Sequence, residues 1–187
     1  MDELNLIKAC SKGDPVAHRM VYDKHGPTLM GLCMRYAGNR EDAEEIFHDS
    51  LVKVFNNIKT FKNESSLKTW ICRIGINTAL DFLRKRKKTL FLSHISDYDH
   101  EIVDSDIPAE VSLEAETAMK LLKTMPANQQ VIINLFIIEE MSHREIAAQL
   151  GISEEASRVQ LSRAKRVLSN IINTNITKNK RLDNTTS

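Results

Sequence analysis

Proline and glycine are scarce in this chain, four and six among 187 residues, so long helices form at little cost. No apolar run approaches the ~20 residues needed to span a bilayer. The first residues, MDELNLIKACSKGD, lack a basic stretch followed by an apolar one. Neither membrane insertion nor a signal peptide is therefore expected. Cysteine is limited to Cys10, Cys33 and Cys72, an odd number without metal-ligand spacing, which speaks for reduced thiols in a cytoplasmic chain. There is no Gly-rich phosphate loop, no HExxH, no GxSxG and no paired carboxylates facing a pocket. The chain reads as a non-enzyme that needs no cofactor.

Apolar residues make up 42%, enough for real cores in one domain or two small ones. The net charge is only +1, but it is unevenly spread. Residues 1–90 hold 16 Lys/Arg against 11 Asp/Glu, residues 91–117 none against 8, and residues 118–187 hold 10 against 6. Two basic blocks flanking an acidic spacer suit a protein that meets nucleic acid twice.

Residues 140–168, EMSHREIAAQLGISEEASRVQLSRAKRVL, carry the most information. Ser142 and Glu145 have the spacing of a capping box, and Ile146, Ala147 and Leu150 form an apolar edge at helical spacing. Gly151 suits the left-handed residue that ends a helix. Ser153 caps a second helix, with Glu154 and Glu155 in its dipole-favoured first turn. On that helix Ser157, Leu161, Ala164 and Leu168 share one face. Arg158, Val159, Ser162, Arg163, Lys165 and Arg166 occupy the rest. A basic helix carried on such a corner fits the DNA major groove, where guanidinium groups pair with guanine and cations meet phosphate. The plain alternative is a solvated basic face on an ordinary helical hairpin.

In the N-terminal block a helix is predicted over residues 4–11, closed by Gly13, Asp14 and Pro15. A second is predicted from Val16 to Tyr22 and a third from Pro27 to Tyr36. Asn39 starts the clearest amphipathic segment, with the stripe Ala43, Ile46, Phe47, Ser50, Leu51, Val54, Phe55 and Ile58. Its other face is acidic, through Glu41, Asp42, Glu44, Glu45 and Asp49. That is either dipole-favoured surface charge or a docking face for a basic partner helix. After the polar loop FKNESSLKTW, a further helix tracks Trp70, Ile71, Ile74, Thr78 and Asp81 or Phe82 along one side, with Trp70 read as core. Arg84, Lys85, Arg86, Lys87 and Lys88 exceed what helix-end electrostatics require, and phosphate contact accounts for them better.

The acidic spacer either keeps a linker solvated or occupies a channel built for polyanions. His94, Asp97, Asp99 and His100 within it have no fixed scaffold, so no metal site is expected. Beyond it, residues 111–123 read as helix, and Pro126 opens a nearly continuous apolar helix over residues 127–138. The last residues, 173–187, are polar, aperiodic and expected to be disordered.

Taken together, DAEEIFHDSLVKVF, then FKNESSLKTW leading into WICRIGINTALDFLRKR, then residues 125–168 resemble the extracytoplasmic-function (ECF) sigma factors of bacterial RNA polymerase. The resemblance runs from about Leu4 to Ile172. It implies an all-α chain: two small helical domains joined by a flexible acidic linker, the second carrying a helix-turn-helix. The implied domains are residues 1–90 for polymerase binding and the −10 element, 91–107 as linker, and 108–172 for the −35 element. The implied partners are core RNA polymerase, through its clamp and flap regions, promoter DNA and an anti-sigma factor.

By the same resemblance, residues 42–55 meet the polymerase clamp, with Asp42, Glu45, His48 and Asp49 on the docking side. His48 stands where the family often has Gln. The −10 loop is residues 61–69, with Lys68 in it. Phe61, Lys62, Asn63, Ile74 and Asn77 would surround a flipped-out base, and Arg73, Arg84 and Lys85 would meet the strand. The −35 set is Arg158, Val159, Ser162, Arg163, Lys165 and Arg166. Departures occur at Gln130, where Arg is common, and at Ala156, Ser157, Arg158 and Val159, where Thr-Val-Lys-Ser is common. The rival reading is an autonomous helix-turn-helix regulator that binds an operator as a dimer, for which no dimerisation helix is evident.

Overall fold

The computed structural model describes residues 2–86 and 115–183, with 115, 116 and 176–183 described by backbone alone. These residues form eight α-helices and no strand, the all-α class expected. The chain divides into two compact units, Met1–Lys87 and Lys88–Ser187. The acidic spacer, Lys87, Lys88 and the four metal candidates lie outside the described residues.

In the first unit, α1 (Glu3–Ser11) is capped by Asp2, whose carboxylate accepts from Asn5 N at 2.7 Å. Asp14 caps α2, accepting from Val16 N at 2.8 Å. The two helices predicted on either side of Pro27 are one: α2 runs unbroken over Pro15–Tyr36. Interior proline costs about 3 kcal/mol through its missing N–H and its ring. Here Pro27 lies on the exposed side, while Ala17, Val21, Leu29, Leu32 and Cys33 are all buried on both sides of it. Each large apolar side chain contributes about 1.5–3 kcal/mol on burial, so the shared core face outweighs the break.

α3 (Arg40–Asn57) is capped by Asn39 and ends in a tight turn at Ile58–Thr60. Its buried residues, Ala43, Ile46, Phe47, Ser50 and Val54, follow the predicted stripe, and Leu51 and Phe55 are half-buried. α4 (Leu67–Arg86) packs on α2 and α3. Its buried residues are Leu67, Ile71, Gly75, Ile76, Thr78, Ala79 and Leu80. Ile71 and Thr78 of the predicted side are buried, but the side is shifted: Trp70 and Ile74 are half-buried flanks and Asp81 is exposed. The helix is turned by Gly75, which lets α2 come very close. A Cβ there would stand 2.5 Å from Leu29 Cδ1 and 3.3 Å from Leu32 Cδ2.

The second unit contains α5 (Ala115–Lys123), α6 (Ala127–Ile133), α7 (His143–Leu150) and α8 (Glu154–Asp183). The apolar run expected as one helix past Pro126 widens at Asn134–Ile138, where Glu139 N bonds to Asn134 O five residues back. Gln130 holds the turn before α6, its Nε2 donating to Met125 O at 2.6 Å and Lys123 O at 3.3 Å. α6 and α7 both pack on α8, burying Val131, Ile132, Leu135, Ile146, Leu150, Leu161 and Leu168. The tail expected to be disordered from residue 173 instead continues α8 to Asp183. Extension from a helix already held by its core adds one bond per residue without a new nucleus, and no Pro or Gly interrupts it.

Candidate nucleic-acid interface

The corner at residues 142–157 forms as its chemistry dictates. Ser142 Oγ accepts from Glu145 N, and the Glu145 carboxylate accepts from Ser142 N at 2.8 Å, a complete capping box. Gly151 is left-handed at φ 71° and returns its N–H to Ala147 O. Ser153 Oγ then accepts from Ala156 N at 3.0 Å, starting α8. Ser157, Leu161, Ala164 and Leu168 are buried, which fixes the opposite face outward.

On that outer face Arg158 and Arg166 are exposed, and Val159 and Ser162 are half-buried. Arg158 is held by Glu154 at 3.4 Å, an exposed pair one helical turn apart. Two predicted cations turn sideways. Lys165 Nζ lies 6.0 Å from the centre of the Phe136 ring, in the wide turn at Asn134–Ile138. Arg163 leans the other way, lining a small cavity with Asn128, Gln129 and Ile132 of α6 and with Gln160.

In the first unit, the loop after α3 turns at Asn63, which adopts φ 58°, a left-handed conformation that Asn tolerates better than most side chains. Ser66 Oγ accepts from Thr69 N at 3.1 Å and starts α4. Lys62, Asn63 and Lys68 are exposed, and half-buried Phe61 lies 5.5 Å from Trp70, ring centre to ring centre. Trp70, Arg73, Ile74, Asn77, Asp81 and Arg84 recur at helical spacing on the side of α4 away from Gly75. Asp81 accepts from Arg84 at 3.1 Å and faces Lys53 at 3.7 Å. Lys85 is exposed. The loop and one face of α4 thus bring two aromatic rings, amides and cations together.

The acidic face of α3 is smaller than expected. Glu45, His48 and Asp49 are exposed, but Asp42 is buried, with its carboxylate on Arg86 and on Asn39 Nδ2 at 3.2 Å. Periodicity placed Asp42 outside because its partner is 44 positions away. Arg86 pairs with it while staying exposed. Among the described residues, no group of three or more His, Cys, Asp or Glu could hold a metal. No helix of the described residues is long and apolar enough to cross a membrane.

His143 was missed from the sequence. It begins α7, and its Nδ1 lies 3.0 Å from Ser157 Oγ. A histidine directly after an N-cap carries no periodic signal that would have exposed this contact.

Comparison with known proteins settles the family. Residues 21–89 match Sigma-70 region 2, and residues 115–168 match Sigma-70, region 4. The chain is 30% identical to the ECF RNA polymerase sigma factor SigW of Bacillus subtilis (strain 168), over 87% of this chain and 92% of that one. It is also 30% identical to the RNA polymerase sigma factor NccH of Alcaligenes xylosoxydans xylosoxydans, over 86% and 90%. The chain belongs to the ECF sigma factors. As a sigma factor it binds core RNA polymerase and directs promoter-specific transcription initiation. Nothing in these likenesses supports a stand-alone dimeric regulator.

Solved sigma factors share the fold. RpoE of Bartonella quintana, in complex with the anti-sigma factor NepR, matches with a TM-score of 0.55 at 23% identity, over 83% of this chain and 96% of that one. CnrH, in complex with the cytosolic domain of CnrY, gives 0.52 at 21%, over 90% and 96%.

Proposed function

We propose that the two units of this sigma factor divide the promoter between them. The first docks on the polymerase clamp through the exposed acids of α3 and captures the −10 strand on α4. The second reads the −35 duplex with α8. The observation that carries this reading is the outer face of α4. A base extruded from the duplex needs an apolar wall and edge hydrogen bonds, and its strand needs cations. Phe61, Trp70 and Ile74 supply the wall, Asn63 and Asn77 the amides, and Lys62, Lys68, Arg73, Arg84 and Lys85 the cations.

The mechanism is one of selective binding, with no chemistry on this chain. Stacking against the aromatic pair offsets the cost of unstacking one base, so the melted state is favoured only where the base fits. The −35 contacts from Arg158, Val159, Ser162, Arg163, Lys165 and Arg166 set register on the duplex. The chain acts as a specificity subunit rather than an enzyme, and it works in the cytoplasm with the polymerase. An anti-sigma factor is a further partner in this proposal.

Promoter-directed transcription with core polymerase tests the assignment. Replacing Asn63 and Asn77 with Ala should change the preferred −10 sequence and leave the −35 preference alone. A template already mismatched at −10 should restore much of the activity, because the unstacking cost is then met in advance. A shift in −35 preference instead would refute the division.

A further inference from the structure

Ser157 sits on the inner face of α8 and is fully buried. A hydroxyl there needs a partner, or its desolvation is uncompensated. It finds one across the helix pair, in Nδ1 of His143 at 3.0 Å. The half-buried His143 ring also stacks on Phe136, with ring centres 4.9 Å apart and planes at 28°. One imidazole therefore ties together the wide turn before α7, the start of α7 and the inner face of α8.

Burial lowers the pKa of His143 below 6.5, and the nearby cations Arg158 and Lys165 lower it further, with Glu154 opposing. A neutral ring that accepts at Nδ1 takes the Ser157 hydroxyl proton and carries its own proton at Nε2. The reverse assignment would leave the buried hydroxyl proton without an acceptor among the described residues.

This contact differs in kind from the rest of the α7–α8 interface. Ile146, Leu150 and Leu161 are buried where the helices pack, but apolar packing has no direction and tolerates a small roll of one helix. A hydrogen bond is directional. Arg158 follows Ser157 in the chain, so any roll at Ser157 swings the Arg158 guanidinium across the groove. Recognition constellations lose function beyond about 0.5 Å or 10–20°.

We propose that the His143–Ser157 pair is a positioning device for −35 recognition, setting the roll of α8 and with it the bases that Arg158 and its neighbours reach. This rests on the assignment of −35 reading to α8. The pair acts through Arg158 and need not touch DNA.

The test uses the full chain bound to core polymerase, a panel of promoters varied singly across −35, and a forked −10 template lacking the −35 element. His143→Phe keeps a ring on Phe136 but removes the acceptor, and Ser157→Ala removes the donor. Each should weaken the best −35 promoter by about five- to tenfold, the worth of one hydrogen bond, and flatten preference at the affected base pairs. The double variant should be no worse than the more affected single, and His143→Asn, with an acceptor near the Nδ1 position, should recover part of the loss. Forked-template binding should stay unchanged. Melting is followed in parallel: lowered melting with an unchanged −35 preference profile overturns the proposal, as do additive losses in the double variant. If the wild type itself shows no −35 preference, the underlying assignment fails, and that result is recognisable without any variant.

Discussion

Arg86, the last residue of α4, pairs with the carboxylate of Asp42, in the first turn of α3. Asp42 is almost enclosed, whereas the Arg86 side chain remains 59% exposed and lies 5.3 Å over the Phe82 ring. The pair ties the start of the proposed clamp-binding helix to the end of the proposed −10 helix. It also removes one acid from the surface to which sequence alone would assign it.

Arg86→Ala should therefore destabilise the first unit, leaving a buried carboxylate with Asn39 as its remaining side-chain partner. A cost of about 1–3 kcal/mol is expected for an undercompensated buried group, toward the lower end because Arg86 is open to water. Trp70 is the sole tryptophan, so its fluorescence during urea unfolding reports on this unit alone. An unchanged midpoint would show that water replaces Arg86 at no cost.

Docking on polymerase should depend on the acids that remain exposed. Glu45→Arg and Asp49→Arg together set like charge against a basic partner surface, and the loss reaches several kcal/mol if the contact is desolvated. Polymerase binding and promoter-directed transcription should fall together while circular dichroism stays constant. Normal binding by the double variant would remove this face from the docking surface.

Gly75→Ala should be among the most damaging single-carbon changes in the chain. The new Cβ would meet Leu29 and Leu32, both fully buried and unable to swing into solvent. Overpacking of this kind costs about 1–3 kcal/mol, which offsets or exceeds the gain in helix propensity of about 1 kcal/mol. Thermal melting checks it, and a melting temperature at or above wild type would mean that α2 and α4 separate easily.

Two histidines should titrate below 6.5. Burial lowers His25, aided by Lys24 and Lys68 against Glu3, and its Nε2 is buried without a partner among the described residues. Burial likewise leads at His143. In both cases the unfolded chain binds the proton more readily, so stability is fully present above pH 6.5 and falls as the pH drops below it. Imidazole resonances followed by NMR should give midpoints under 6.5 for both, and a midpoint above it at either would reverse the sign.

Cys33 should resist alkylation. Burial pushes its thiol up to about 12, so almost no thiolate exists at pH 8. Cys10 is raised in the same direction by burial and Asp14. Iodoacetamide at pH 8 should label neither until urea unfolds the chain, as read by mass spectrometry of peptides. Rapid labelling of Cys33 in buffer would show that α2 opens locally.

What the sequence by itself determined was local or periodic. Ser142, Glu145, Gly151 and Ser153 act on backbone groups within a few residues, so the helix-turn-helix was legible from spacing. The α3 stripe was legible because one face repeats every three or four positions. Partners distant in the chain were decided by the tertiary structure. Asp42 looked like surface charge until α4 delivered Arg86, and Ser157 looked like a small inner-face residue until α7 delivered His143. Pro27 looked like a break, because local cost is visible in sequence while the core that outweighs it is not. The rotation of α4 depended on Gly75, whose missing Cβ matters only where a side chain of another helix, here Leu29, takes its place. Periodicity records which side of a helix is apolar, but close approach and charge pairing exist only once the chain has folded back on itself.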